Sequence, residues 1–211
     1  MLHILGVSHL AQARKADVED TEAHKVFSRF LGQVIQDVHP AFIAEEQSEE
    51  NLASQGKISI PKEVSGSEGI EHRFCDPNRA ERQSMGYLGG QDILSRHKIL
   101  LGQNLPFEER RLKAHAIEMA QHFRKREQFW LRGLIGCREQ SAVFVCGDGH
   151  IESFTSLLQG EDIPYRVVGR GVGMTEAERD DARKIVQYLE AHPELRNPRS
   201  GLLAQPYPCD E

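Results

Sequence analysis

The segment at residues 141–146 constrains the fold more than any other part of the chain. It reads Ser-Ala-Val-Phe-Val-Cys and is apolar almost throughout, which is typical of a β-strand covered on both faces. The tetrapeptide Gly-Asp-Gly-His at 147–150 follows directly, and an amphipathic stretch over 151–159 comes next. A buried strand that runs at once into a helix is the repeating unit of a parallel α/β sheet, so this segment predicts such a sheet.

Short apolar runs alternate with helical patterns over the rest of the chain. Further strands are predicted at residues 3–7, 40–44, 70–75 and 165–168, and further helices at 18–35, 106–134 and 175–191. Residues 56–69 contain Gly, Pro and Ser and predict a loop, with a short strand at 58–60. We therefore predict one α/β domain over residues 1–195, with a mostly parallel central sheet and helices on both faces. Residues 196–211 are predicted to form a C-terminal tail.

Composition narrows the class of protein. The chain has 26 Lys and Arg against 32 Asp and Glu, a net charge of −6, which disfavours a protein that binds nucleic acid through a basic surface. None of the four cysteines forms a Cys-x-x-Cys pair, so we expect free thiols in a reducing compartment. The N-terminus lacks the pattern of a signal peptide, and the apolar runs are too short to span a membrane. These features predict a cytoplasmic protein that does not bind membranes.

Polar side chains follow four of the predicted strands at the point where each strand ends. They are His9, Glu45 and Glu46, Asp76, and Asp148 with His150. Because the carboxyl ends of parallel strands meet at one edge of a sheet, we expect these side chains to line one crevice. Imidazole and carboxylate groups there can shuttle protons, or they can hold a divalent metal ion that activates water.

Simpler interpretations exist for each residue alone. A histidine at a strand end is more often a surface or capping residue than a catalyst. The pair Glu45 and Glu46 fits the acidic first turn of a helix, and Asp76 before a proline fits a turn. Arg126 could belong to a solvated basic face, or it could reach the crevice and bind an oxyanion. The functional interpretation rests on coincidence, since a Gly-x-x-His pattern closes both the first strand and the strongest strand.

The ordered set of motifs resembles the TraB/Tiki, erythromycin-esterase and ChaN-like superfamily. The matching positions are Gly6 with His9, Glu45 with Glu46, Arg126 with Glu127 and Trp130, and Gly147 with His150. They span most of the chain in the expected order. The sequence departs from the family pattern in two places: Glu127 stands where Asn or Asp is more usual, and Trp130 stands where Met is usual.

The resemblance implies a parallel α/β fold and a pocket built from these residues. It implies that His9 and His150 are metal ligands or general bases, that Glu45 or Glu46 is a ligand or proton acceptor, and that Arg126 stabilises negative charge. The catalytic set would be His9, Glu45, Glu46, Arg126 and His150. A metal set, for manganese, cobalt, zinc or iron, would be His9, Glu45, Asp76 and His150.

The first functional hypothesis is a hydrolase of ester or amide bonds in a small molecule or peptide, with water activated by histidine and carboxylate groups or by a divalent metal. A second hypothesis is a non-catalytic module that binds or senses a ligand, a metal or haem. A third is a phosphoester hydrolase, suggested by Asp76, Asp148 and nearby arginines. The helix predicted from Pro106 could also form an interface between copies of the chain, as in a homo-oligomer.

Overall fold

The computed structural model describes residues 1–96, 101 and 104–197. Its strands are β1 (Leu2–Val7), β2 (Ala13–Lys15), β3 (Phe42–Glu45), β4 (Lys57–Ser59), β5 (Glu71–Phe74), β6 (Ala142–Gly147) and β7 (Tyr165–Val172). Its described helices are α1 (His9–Gln12), α2 (Glu22–Val38), α3 (Glu49–Ser54), α4 (Ile60–Ser67), α5 (Arg79–Ser84), α6 (Gly90–Arg96), α7 (Phe107–Gln121), α8 (Phe123–Trp130), α9 (Ile151–Gly160) and α10 (Glu176–Ala191). Two 3₁₀ turns lie at Asp148–His150 and Pro193–Arg196.

The central sheet has five strands in the order β5-β3-β6-β1-β7, and all its pairs are parallel. This confirms the predicted α/β fold. The register sets Val7 beside Gly147, and Glu45 beside both Val145 and Phe74. The carboxyl ends of four adjacent strands, β5, β3, β6 and β1, therefore lie side by side. A separate antiparallel pair joins β2 to β4.

Helices cover both faces of the sheet, as predicted. On one face Phe42 and Phe144 pack with Trp130 of α8 and Phe154 of α9 in one apolar cluster. On the other face residues of the same strands pack with α2 and α4; members of that cluster are Ile43, Val143, Val145, Phe27, Leu31 and Ile60. Successive strand residues thus enter different cores, which is why β6 is apolar throughout and β1 and β3 are nearly so.

Several predicted elements differ from the structure. The short strand predicted at 58–60 is present as β4, but the loop predicted over 56–69 was wrong, because Ile60–Ser67 form α4, whose first turn contains Pro61 and is capped by the Ser59 hydroxyl. The helix predicted over 106–134 consists of α7 and α8, separated at His122. Strand β7 continues through the glycine-rich residues to Val172, where the prediction ended at 168.

The chain divides into two compact units. The first comprises Met1–Met85 and Arg124–Arg179 and contains both sheets. The second comprises Gly86–Phe123 and Asp180–Glu211, and its described part has its own apolar cluster, which includes Ile93, Ile117 and Leu189. Apart from residues 196 and 197, the predicted tail lies outside the described residues. No helix in the described ranges is long and apolar enough to cross a membrane.

Candidate functional site

The two adjacent glutamates after β3 lie on opposite faces of the sheet. Strand side chains alternate between faces, so Glu45 shares the face of Ile43, and Glu46 shares the face of Phe42 and Ala44. Both glutamate side chains are fully buried. Helix α8, which carries Arg126, packs on the face of the sheet where Glu46 lies.

Arg126 joins Glu46 and Asp76 in one buried network. Its Nη1 lies 2.7 Å from Glu46 Oε1, and its Nε donates to Asp76 Oδ1 at 2.6 Å. The Trp130 indole N–H donates to the same Asp76 oxygen at 2.9 Å, and Arg82 pairs with the other Asp76 oxygen. The Arg126 side chain is 11% exposed, whereas those of Glu46 and Asp76 are 0% and 1% exposed. A helix and two strand ends therefore converge on one guanidinium.

The guanidinium decides the charge of both carboxylates. Burial alone would raise the pKa of Asp76, but Arg126 together with Arg82 and Trp130 lowers it to about 2. Burial would likewise raise the pKa of Glu46, yet Arg126, helped by His150 and His9, holds it below its usual value. Both groups are thus carboxylates at neutral pH.

His150 is buried between two carboxylates. Its Nδ1 lies 3.0 Å from Glu127 Oε1, and its Nε2 lies 3.5 Å from Glu46 Oε1. Ser153, one helical turn later, also donates to Glu127 Oε1. The edge of Trp130 packs against the imidazole, with ring centroids 4.8 Å apart. These contacts fix the ring of His150 in the protein interior, where it is 2% exposed.

His9 occupies a different position, because it is exposed and follows the end of β1. Its ring lies over Gly147: a Cβ atom built on Gly147 would stand 2.5 Å from His9 Nε2. The Gly147 N–H donates to Glu46 Oε2 at 2.6 Å, so Gly147 separates the exposed imidazole from the buried carboxylate. His9 is therefore the histidine of the pair that solvent can reach.

The two Gly-x-x-His turns make room for each other. Gly147 of the second turn leaves space for His9 of the first, and Gly6 of the first leaves space for Asp148 of the second. A Cβ on Gly6 would stand 2.5 Å from Asp148 Oδ1. Asp148 Oδ1 in turn accepts from the Gly171 N–H at 2.6 Å, which ties the second turn to β7. Both glycines are thus required by packing between the motifs.

Ser8 and Glu178 anchor the turn that carries His9. The Ser8 hydroxyl donates to Glu178 Oε1 at 2.5 Å and accepts from the Leu10 N–H, which caps α1. Glu178 also completes a capping box with Thr175 at the start of α10. Although burial would raise the pKa of Glu178, the Ser8 and Thr175 hydrogen bonds and the charge of His9 lower it.

Glu45 belongs to a separate cluster on the opposite face. Its Oε1 accepts from Ser59 Oγ and pairs with His72 Nε2 at 2.9 Å, while its Oε2 is buried without a hydrogen-bond partner. Burial raises the pKa of Glu45, although the His72 and Ser59 contacts oppose the rise. The structure therefore places Glu46, and not Glu45, in the network with Arg126 and His150.

The structure brings together most of the predicted catalytic residues. Glu46, Arg126 and His150 meet in the buried network, and His9 lies above it. The predicted metal set of His9, Glu45, Asp76 and His150 is not assembled, because Glu45 faces the other core. Over the described ranges 1–96, 101 and 104–197, no group of three or more His, Cys, Asp or Glu side chains is arranged to hold a metal ion. The predicted ligands thus do not fit a metal centre as they stand.

Sequence reasoning missed several members of this network. Trp130 is a matching position of the motif set, but nothing in the sequence indicates that its N–H donates to Asp76. Ser153 follows His150 at helical spacing, which is a signal that could have paired them. Nothing in the sequence links Glu178 to Ser8, 170 residues away.

Comparisons of the chain with protein-family models, with curated protein sequences and with solved structures gave no match. The resemblance to the TraB/Tiki, erythromycin-esterase and ChaN-like superfamily therefore stays a prediction that rests on the motifs.

Proposed function

We propose that this protein is a hydrolase of ester or amide bonds, in which His9 activates water above the buried Glu46–Arg126 network. The observation that carries the proposal is the packing of the His9 ring over Gly147, whose N–H binds Glu46. This arrangement puts an exposed imidazole across the Gly147 backbone from a buried carboxylate, near enough for the two charges to interact, and an exposed histidine is the commonest general base.

In this mechanism His9 takes a proton from water while the water oxygen attacks the substrate carbonyl carbon. The protonated ring then returns that proton to the departing alkoxide or amine. Glu46 stabilises the imidazolium of His9 through its buried negative charge. The two groups lie close enough for His9 to lower the pKa of Glu46. Arg126, which keeps part of its side chain exposed, stabilises the negative oxygen that forms on the carbonyl.

The charges of the network favour a neutral substrate. Against Arg126 and Arg82 lie the buried carboxylates of Glu46 and Asp76, and Glu127 lies on the other side of His150. Two carboxylates already pair with the two guanidinium groups, so the site has no surplus positive charge, and a phosphoester would need such charge. A carbonyl compound without negative charge at the scissile bond fits this balance of charges better. We therefore favour the ester or amide hypothesis over the phosphoester hypothesis.

The test is turnover of a panel of neutral chromogenic esters and amides by the wild type and by matched pairs of variants. Glu46→Gln is compared with Glu45→Gln, its buried neighbour on the other face. His9→Ala is compared with His39→Asn, an exposed histidine whose left-handed backbone conformation asparagine tolerates. We expect kcat to fall by roughly 10²–10⁴-fold in His9→Ala and Glu46→Gln, with little change in the two controls.

Folding of each variant is checked by circular dichroism and thermal melting. A folded His9→Ala protein that turns over its best substrate as fast as the wild type would refute the proposal. A wild type that binds neutral carbonyl compounds at this edge, but never hydrolyses them, would support the alternative of a non-catalytic binding module.

A further inference from the structure

Three of the four carboxylate oxygens of Glu46 and Asp76 already accept hydrogen bonds from N–H groups. Both Asp76 oxygens accept from guanidinium or indole donors, and Glu46 Oε2 accepts from the Gly147 N–H. Glu46 Oε1 is ion-paired with Arg126. A divalent metal ion would need these same lone pairs, together with a histidine nitrogen.

One histidine nitrogen points to the same place. His150 Nε2 lies 3.5 Å from Glu46 Oε1, while its Nδ1 is turned to Glu127. Carboxylate-bound imidazole is how metal-binding histidines are commonly oriented. Glu46 Oε1 and Asp76 Oδ1 therefore flank the position that the Arg126 guanidinium fills, and His150 Nε2 lies 3.5 Å from the first of these oxygens.

Electrostatics favours the Arg126 guanidinium over a metal ion at this position. It is a fixed cation on the same chain, and it already lowers the pKa of both Asp76 and Glu46 despite their burial. An incoming metal ion would have to displace it, which would leave the guanidinium in a site where it is 11% exposed and beside a second positive charge.

We propose that Arg126 is the resident cation of this site, in the position that a divalent metal ion would take, and that the site binds such an ion only when this side chain is removed. The inference concerns binding, and it stands whether or not the site hydrolyses esters or amides.

Cobalt uptake tests the inference without any substrate. Wild type, Arg126→Met, Arg126→Met/His150→Ala and the control Lys125→Met, which removes an exposed positive charge from the same helix, are incubated with Co²⁺ and then dialysed. Cobalt per chain is measured by elemental analysis, and the visible absorption of Co²⁺ reports its ligand geometry. Thermal melting with and without Co²⁺ reports folding.

We expect no retained cobalt in the wild type or in Lys125→Met. Arg126→Met should retain one cobalt ion per chain and melt at a higher temperature when cobalt is present, and His150→Ala should abolish both effects. If Arg126→Met is unfolded without metal, cobalt should restore its melting transition.

Two outcomes would overturn the inference. One is a wild type that retains one cobalt ion per chain and loses it on the single substitution His150→Ala. The other is an Arg126→Met protein that neither retains cobalt nor gains stability from it at any cobalt concentration. Neither result depends on turnover, so failure here is distinct from failure of the proposed hydrolysis.

Discussion

Glu45 and Glu46 are adjacent in sequence and equally buried, yet the protein treats them in opposite ways. Glu46 faces a guanidinium, and its pKa is lowered. Glu45 faces a histidine and a serine, and burial raises its pKa. The difference shows that burial alone does not fix the charge of a carboxyl group. What decides it is whether a permanent cation contacts the carboxyl group directly, as Arg126 contacts Glu46.

This contrast has an energetic consequence. A buried carboxylate without its cation costs several kcal/mol, whereas a buried carboxyl that keeps its proton costs much less. The Glu46 face should therefore be sensitive to loss of charge partners, and the Glu45 face should tolerate neutral substitutions.

The largest expected effect is the loss of Arg126. Arg126→Met leaves Glu46 and Asp76 without their shared cation, and we expect the free energy of unfolding to fall by about 3–5 kcal/mol at neutral pH. Arg82→Met removes a cation that pairs with Asp76 and is 29% exposed, so its cost should be about 1 kcal/mol or less. Urea unfolding without added metal measures both; equal losses in the two variants would contradict the central position of Arg126.

The next effect compares the two glutamates directly. Glu46→Gln removes a buried charge that pairs with Arg126, and it should cost about 2–4 kcal/mol. Glu45→Gln keeps an acceptor for Ser59 and His72 and should change stability by about 1 kcal/mol or less. Urea unfolding at neutral pH decides, and a Glu45→Gln loss as large as that of Glu46→Gln would remove the distinction between the two faces.

A smaller effect appears in acid. The pKa of Asp76 falls from 3.8 to about 2 on folding, so its contribution is complete above the unfolded value and is lost as the pH drops through the folded value. The shift corresponds to about 2 kcal/mol between about pH 4 and about pH 2. The free energy of unfolding of the wild type should decline over this range, and that of Asp76→Asn should decline less. Parallel curves would show that Asp76 is not held by its cations.

The opposite sign is expected on the other face. Because the folded pKa of Glu45 is raised, its proton is lost as the pH rises through that value, and stability falls with it. Glu45→Gln should therefore flatten the stability curve above about pH 4. The measurement is the difference in unfolding free energy between wild type and variant across the range from acid to neutral pH.

The parallel sheet could be predicted because strands are recognised from short stretches of sequence. The run at residues 141–146 is apolar throughout, and strand-end positions follow from parallel geometry, so His9, Asp76 and His150 could be assigned to one edge. Which of Glu45 and Glu46 faces that edge depends on one residue of strand phase, and the pattern alone does not set the phase of a four-residue strand buried on both faces.

Contacts between residues far apart in the sequence could not be predicted either. The pairing of Arg126 with Asp76 joins residues 50 apart, and the contact between Ser8 and Glu178 joins residues 170 apart. Such contacts depend on how helices pack on the sheet, which local patterns do not specify. The prediction of a loop over 56–69 failed for a related reason: Pro61 was interpreted as a breaker, whereas it sits in the first turn of α4.

The smallest expected change in stability concerns the glycine under His9. The backbone of Gly147 is compatible with alanine, and the added Cβ would meet only the exposed His9 ring at 2.5 Å. Gly147→Ala should therefore displace His9 at a cost of about 1 kcal/mol or less, while kcat falls by about 10²-fold or more if His9 is the base. Gly149→Ala is the matched control. Its Cβ would meet nothing within 4 Å, so this substitution should leave both stability and kcat unchanged.

Gly6→Ala would press on Asp148 and the buried Ile151, so it should lose more stability than Gly147→Ala. Thermal melting and ester turnover on the three variants separate these effects, and full activity in a folded Gly147→Ala protein would show that the position of the His9 ring does not matter.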